Sequence, residues 1–172
     1  NVGGGGFRAT ANGAAVVRAT SDANAAATAT ASLTVLQQPA TVEVTPGSFM
    51  FNALGLTTGF SAVARDARAN VIAGVALTWE SDNADVVSIL PTGVATAHGL
   101  GTATISARVG AASGSATVEV VQTPASLVIS PATLHFATLG EVGTLAVTAF
   151  DANGNEIAGA VPDWTSSNPA VA

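Results

Sequence analysis

The densest run of oxygen-bearing side chains in the sequence is Asp151-Ala-Asn153-Gly-Asn155-Glu156. Alternating oxygen donors around a glycine turn are what a wrapped Ca²⁺ ion needs, so Asp151, Asn153 and Asn155 are the candidate metal ligands. A tight turn between strands asks for the same residue types. At the matching segment, Asp66-Ala-Arg68-Ala-Asn70-Val71, three of the ingredients are replaced. The turn is therefore the stronger reading, and no metal or other cofactor is expected. Glu80, Asp82, Asn83 and Asp85 form a second acidic cluster, but their counterparts Thr165, Ser167, Asn168 and Ala170 carry no carboxylate. That cluster reads as a solvated loop.

The only two imidazoles, His98 and His135, fall at unrelated phases of the pattern described below, and no G-x-S-x-G elbow is present to expose a nucleophile. Both read as surface or edge histidines. Gly3 to Gly6 could cradle a phosphate only by feeding a helix N-terminus. No helical periodicity follows them, so they read as a flexible strand connection. No catalytic residue is assigned, and the chain is not expected to be an enzyme.

Composition narrows the classes further. The 172 residues carry five Arg and no Lys against eleven acids, a net charge of −6. Without a basic stripe to neutralise phosphates, neither nucleic acid nor an anionic membrane surface is an expected partner. Absence of Cys removes disulfides, thiolate metal sites and thiol nucleophiles. The 37 Ala, 21 Thr and 21 Val make the chain hydropathic through small and β-branched residues. No window approaches the roughly 18 consecutive apolar residues of a spanning helix, so no membrane insertion of this segment is expected. Asn1 reads as an internal or processed end.

These residues sit in a repeat. Sliding the sequence by 85 positions lays Gln37–Val87 on Gln122–Ala172 without a gap, with 18 of 51 positions identical. Pro39, Pro46, Phe51, Leu54-Gly55, Asp66, Ile72-Ala73-Gly74, Trp79, Ser81, Asn83 and Val86 all recur. Ala31–Gln37 parallels Ala116–Gln122 in turn, which divides the chain into three: 1–36 as the C-terminal half of a repeat, 37–121 as a complete repeat, and 122–172 as an N-terminal half. About fifty residues or fewer bury too little surface to hold a core alone. Both ends are therefore expected to be completed by copies of the chain or by flanking repeats.

The elements that must position these residues are strands. Val42 and Val44, then Phe60, Ala62 and Ala64, then Val75, Leu77 and Trp79 alternate with polar residues, as do Ala103, Ile105 and Ala107, and Ala116, Val118 and Val120. Gly, Asn, Asp and Pro clusters separate the runs at sandwich spacing. About seven strands per repeat are expected, in two antiparallel sheets with one face buried. Trp79, Trp164, Phe51 and Phe136 are the expected core anchors. The joints Gln37-Gln38-Pro39 and Gln122-Thr123-Pro124 are short enough to favour a stiff rod.

The ordered motifs P-A-S-L-V-I-S-P (124–131), L-G (139–140), D-A-N-G-N-E-I-A-G (151–159) and W-T-S-S-N-P-A-V-A (164–172) resemble bacterial immunoglobulin-like domains of group 2. The stretches T-G-V-A-T-A-H-G-L-G-T-A-T-I-S-A (92–107) and S-A-T-V-E-V (115–120) continue the resemblance. The first 36 residues depart most, with four glycines in a row and Ala-Ala-Val-Val where the family usually has Gly-Thr-Ala-Thr. The resemblance implies an all-β fold of tandem immunoglobulin-like β-sandwiches of about 85 residues, as in the stalks of intimin- and invasin-like adhesins and in some phage virion proteins. A structural, non-catalytic stalk or filament segment on the bacterial cell surface follows, with the phage virion as the alternative location. The alternative function is a module that binds carbohydrate or a host receptor.

Overall fold

A computed structural model describes residues 5–171. Every regular element among them is a strand. The first segment holds β1 (Gly13–Thr20) and β2 (Thr28–Val35). The middle segment holds β3 (Thr41–Thr45), β4 (Ser48–Phe51), β5 (Thr57–Gly59), β6 (Ser61–Arg65), β7 (Thr78–Ser81), β8 (Val87–Ile89), β9 (Val94–Ala97), β10 (Gly101–Val109) and β11 (Ala112–Val120). The third holds β12 (Ser126–Ser130), β13 (Ala146–Phe150) and β14 (Glu156–Ile157).

The middle segment has nine short strands where the spacing predicts about seven. The chain changes partners just after the Val42–Val44 run and at the start of the Phe60–Ala64 run. At Pro46-Gly47 the chain leaves its pairing with β6 and enters a parallel pairing of β4 with β11. At Phe60, whose N–H donates to the Gly93 carbonyl at 2.7 Å, the run passes from β9 to β3. One layer has the order β4-β11-β10-β7, and the facing layer is built from the pairs β3-β6 and β5-β9-β8.

Alternation decides which side is buried. Along β10, Ala103, Ile105 and Ala107 point inward, and along β11, Ala116, Val118 and Val120 do. They meet Val42 and Val44 of β3, Phe60, Ala64 and Phe51 in one core. Trp79 is half-buried and packs against that core. Where β3 crosses β11 the backbones come so close that a Cβ on Gly114 would meet the Val42 carbonyl.

The third segment repeats the ladder of the middle one at the same offset. Thr41↔Arg65 and Thr45↔Ser61 reappear as Ser126↔Phe150 and Ser130↔Ala146, and the bridge Arg65↔Val71 as Phe150↔Glu156. The hairpin β1-β2 starts its ladder with Gly13↔Val35 as β10-β11 does with Gly101↔Val120, but spans three more residues at its tip.

What differs in the third segment is cover. Phe136 and Trp164 are each 51% exposed, whereas Phe51 is 1% exposed. The expectation that all four aromatics anchor a core therefore has to be corrected for these two. Phe51 is covered because β4 lies against β11, and Trp79 is held because β7 pairs with β10 through Trp79↔Ala107. No strand of residues 122–171 takes the place of β10 or β11.

Candidate functional site

The one charged side chain buried among the described residues is Asp151, at 2% exposure. It sits where the middle and third segments meet, and the joint can be built up from its hydrogen bonds. As β11 ends, the chain continues beside the end of β4. Val121 N–H donates to the Phe51 carbonyl at 2.9 Å, and Thr123 N–H to that of Asn52 at 3.0 Å. The chain from Phe51 then turns through Asn52–Gly55, where Gly55 has φ +77°, a conformation that a side chain would disfavour. Gly55 N–H donates to the Ala97 carbonyl at 2.8 Å, which ties the far side of the turn to β9.

The tip of that turn is gripped by the third segment. Leu54 N–H donates to Asp151 Oδ2 at 3.0 Å, while its carbonyl accepts Asn153 Nδ2 at 2.8 Å and Asn155 Nδ2 at 3.1 Å. Gln122 Nε2 donates to the same Oδ2 at 3.0 Å. On Oδ1 the carboxylate accepts the N–H groups of Asn153 and Asn155, and Asn155 Nδ2 reaches both oxygens. Burial pushes the Asp151 carboxyl up, but Gln122, the Asn155 N–H and the Leu54 N–H outweigh it and hold the group well below the usual carboxylate range. A charge taken out of water is tolerated here because donors meet both of its oxygens.

Asp151, Asn153 and Asn155, proposed from sequence as cation ligands, are thus brought together, but around a backbone peptide. The carboxylate oxygens face N–H groups, and the two amide side chains direct their nitrogens at the Leu54 carbonyl. Their spacing also serves the tight turn. Asp151 N–H donates to the Asn155 carbonyl at 2.9 Å and Gly154 N–H to the Asp151 carbonyl at 3.0 Å.

The same arrangement stands 85 residues earlier. Asp66 accepts Gln37 Nε2 on Oδ2 at 3.0 Å, the N–H groups of Arg68 and Asn70 on Oδ1 at 2.9 Å each, and Asn70 Nδ2 on both oxygens. Gln37, followed by Asn70, holds its carboxyl down at about 2. Ala69 takes φ +64° where Gly154 takes +80°, the one described non-glycine residue in that region. Asp66 lacks the backbone N–H that Leu54 gives Asp151, and it is only half-buried. Gln37, Gln122 and Leu54 were visible in the sequence as recurring letters, but nothing local to them announces a hydrogen bond to a distant carboxylate.

The other candidates lie apart from this joint. Asp82 accepts Thr104 N–H at 2.7 Å, which lowers its carboxyl, and Glu80 lies 3.8 Å from Arg108 with both side chains exposed. His98 Nε2 is 2.7 Å from Ser88 Oγ, and the His98 backbone N–H donates to the Val86 carbonyl, so it links neighbouring strands. His135 is exposed, and no cluster of three His, Asp or Glu side chains of metal-ligand type occurs among the described residues. Of the glycine run, Gly3 and Gly4 lie outside the described residues, and Gly5 and Gly6 are exposed.

No protein-family model matches the sequence, and no curated protein matches it. Among solved structures, domains 1–6 of the surface layer protein SbsC superpose with a TM-score of 0.45 at 24% identity, covering 85% of this chain and 20% of that one. Domains 4–9 of SbsC give 0.44 at 24% identity, covering 85% and 25%. The Yersinia pseudotuberculosis adhesin InvE gives 0.33 at 22% identity, covering 52% and 28%. The match therefore spans between 20% and 28% of the length of these solved chains.

Proposed function

We propose that this chain is a structural, non-catalytic segment of an extracellular stalk or filament on the bacterial surface, built from immunoglobulin-like domains of about 85 residues set end to end. In this reading 37–121 is a complete domain, and 1–36 and 122–172 belong to its two neighbours, which are its partners. The observation that carries the proposal is the grip of Asp151, Asn153 and Asn155 on the Leu54 peptide, with Gln122 donating to the same carboxylate. Such a joint resists bending, because rotation strips the Leu54 N–H from the buried carboxylate and the Asn153 and Asn155 amides from the Leu54 carbonyl. Such stiffness is what a spacer needs and what a loose linker lacks.

A glycan-binding module would draw on exposed aromatic rings. The half-exposed Phe136 and Trp164, however, hold the places of Phe51 and Trp79, which pack into or against a core. Apolar completion by a neighbouring segment fits them better than ligand stacking.

Spin labels at Arg108→Cys and Val128→Cys, one on each side of the joint, test the proposal. A narrow distance distribution is expected, broadening when Asp151→Ala is added. A distribution already broad with Asp151 in place would overturn it.

A further inference from the structure

Resting on the joint in that reading, we propose that Asn153 is a self-modification site guarded by its grip on Leu54. When the third segment lets go of Leu54, the Asn153 side chain cyclises onto the Gly154 backbone nitrogen and loses its amide, and the joint cannot close as before.

The sequence has two Asn-Gly pairs, each within Ala-Asn-Gly: Ala11-Asn12-Gly13 and Ala152-Asn153-Gly154. A glycine after asparagine has no Cβ to hinder its nitrogen, so that nitrogen reaches the Asn Cγ more readily than that of any other residue. In the reaction the Gly154 nitrogen loses its proton and bonds to Asn153 Cγ, the Cγ–Nδ2 bond breaks, and ammonia leaves, closing a succinimide. Water then opens the ring. Cutting the new Cγ–N bond gives aspartate, and cutting the original backbone C–N bond gives isoaspartate. Water is the only co-reactant, and both residues are exposed to it.

The closed joint restrains both reacting groups. Gly154 N–H donates to the Asp151 carbonyl at 3.0 Å, and Asn153 Nδ2 is held on the Leu54 carbonyl at 2.8 Å. Swinging Cγ onto the Gly154 nitrogen breaks both bonds, so attack waits for local opening. Afterwards the new carboxylate has no hydrogen to give the Leu54 carbonyl, which keeps only Asn155 Nδ2 at 3.1 Å. It also sets a second negative charge two residues from Asp151. Isoaspartate lengthens the backbone within the turn that closes from Asp151 N–H to the Asn155 carbonyl at 2.9 Å. Each opening that ends in reaction thus favours further opening, and the site records how often the joint lets go. The matching turn has Arg68-Ala69 in place of Asn153-Gly154, which confines the reaction to the Asp151 joint.

Peptide mapping by mass spectrometry of the whole chain, held folded or in urea in mildly alkaline buffer, follows both Asn-Gly sites at once. In urea Asn12 and Asn153 should react at similar rates, since their neighbours are alike. Folding should slow Asn153 about tenfold, the effect of two hydrogen bonds that must break first. Gly55→Ala strains the Leu54 turn at φ +77° and sets a Cβ 3.4 Å from Asn153 Nδ2, so it should speed Asn153 several-fold and leave Asn12 unchanged. Gln122→Ala, which takes a donor from Asp151 without touching either turn, should act in the same direction. Asn153→Asp, the product installed by substitution, should broaden the distance distribution between labels at Arg108→Cys and Val128→Cys more than Asn153→Ala does. An Asn153 that reacts as fast folded as in urea, or whose rate neither variant moves, would overturn the proposal. So would an Asn153→Asp joint as narrow as the parent. The end-to-end reading fails separately, through a parent distribution that is broad from the start, and the rates at Asn153 then still decide whether the grip guards the site.

Discussion

Asp66 and Asp151 show one side chain doing the same work in two degrees of completion. Each collects N–H donors from its own turn and from a glutamine 29 residues before it, but only Asp151 also receives a backbone N–H from another segment. Ionisation is what makes either carboxylate a strong acceptor. The Asp66 carboxyl sits at about 2 in the folded chain and near 3.9 when unfolded. A folded value below the unfolded one stabilises the fold above about pH 4, and that contribution is lost as pH falls from about 4 to about 2. Asp151 shifts in the same direction and adds to the same acid limb. The urea midpoint should therefore stay flat from about pH 7 to 5 and decline below about 4, with a shallower decline in Asp66→Asn. Parallel declines in both proteins would show that Asp66 does not supply the linkage.

At the scale of elements, the middle segment depends on how closely β3 lies on β11. Its alternating Val42 and Val44 reach the core only because Gly114 leaves room for the Val42 carbonyl. Gly114→Ala should cost about 1–3 kcal/mol, the usual penalty of forcing extra volume into a packed interface. Gly47→Ala, where an added Cβ meets nothing within 4 Å, should stay within about 0.5 kcal/mol. Urea midpoints of the two variants give the comparison, and equal losses would mean that this approach is not what constrains the layers. The same layering explains the extra strands. A chain that leaves one layer for the other at Pro46-Gly47 is continuous in sequence but divided in space.

At the scale of the whole molecule, one pattern of residues has two environments. Phe51 and Phe136 occupy the same place in the repeat, yet one is buried on a strand paired with β11 and the other is half exposed. Phe51→Ala should cost about 3–5 kcal/mol, while Phe136→Ala should cost less than about 1 kcal/mol in this chain. Differential scanning calorimetry of both variants tests this, and a similar cost for both would mean that the third segment already has a core in solution. The Val42 and Val44 counterparts, Leu127 and Ile129, are exposed in the same way. Together these residues leave the third segment with exposed apolar side chains where the middle segment has buried ones.

The sequence by itself determined the strand class, the 85-residue offset, the turn at Asp-x-x-x-Asn and the inward face of β3, β6, β7, β10 and β11. All of these follow from period-two alternation and turn chemistry, which act over a few neighbouring residues. Even the shared ladder register of β3-β6 and β12-β13 was implicit in the ungapped alignment. Tertiary structure alone decided what Asp151 binds and whether Trp164 is buried. The donor that completes the Asp151 site comes from Leu54, 97 residues away, and no local pattern encodes which backbone N–H will arrive. Burial likewise belongs to the covering strand, so Trp79 gains it from β10 and Trp164, at the same place in the repeat, does not.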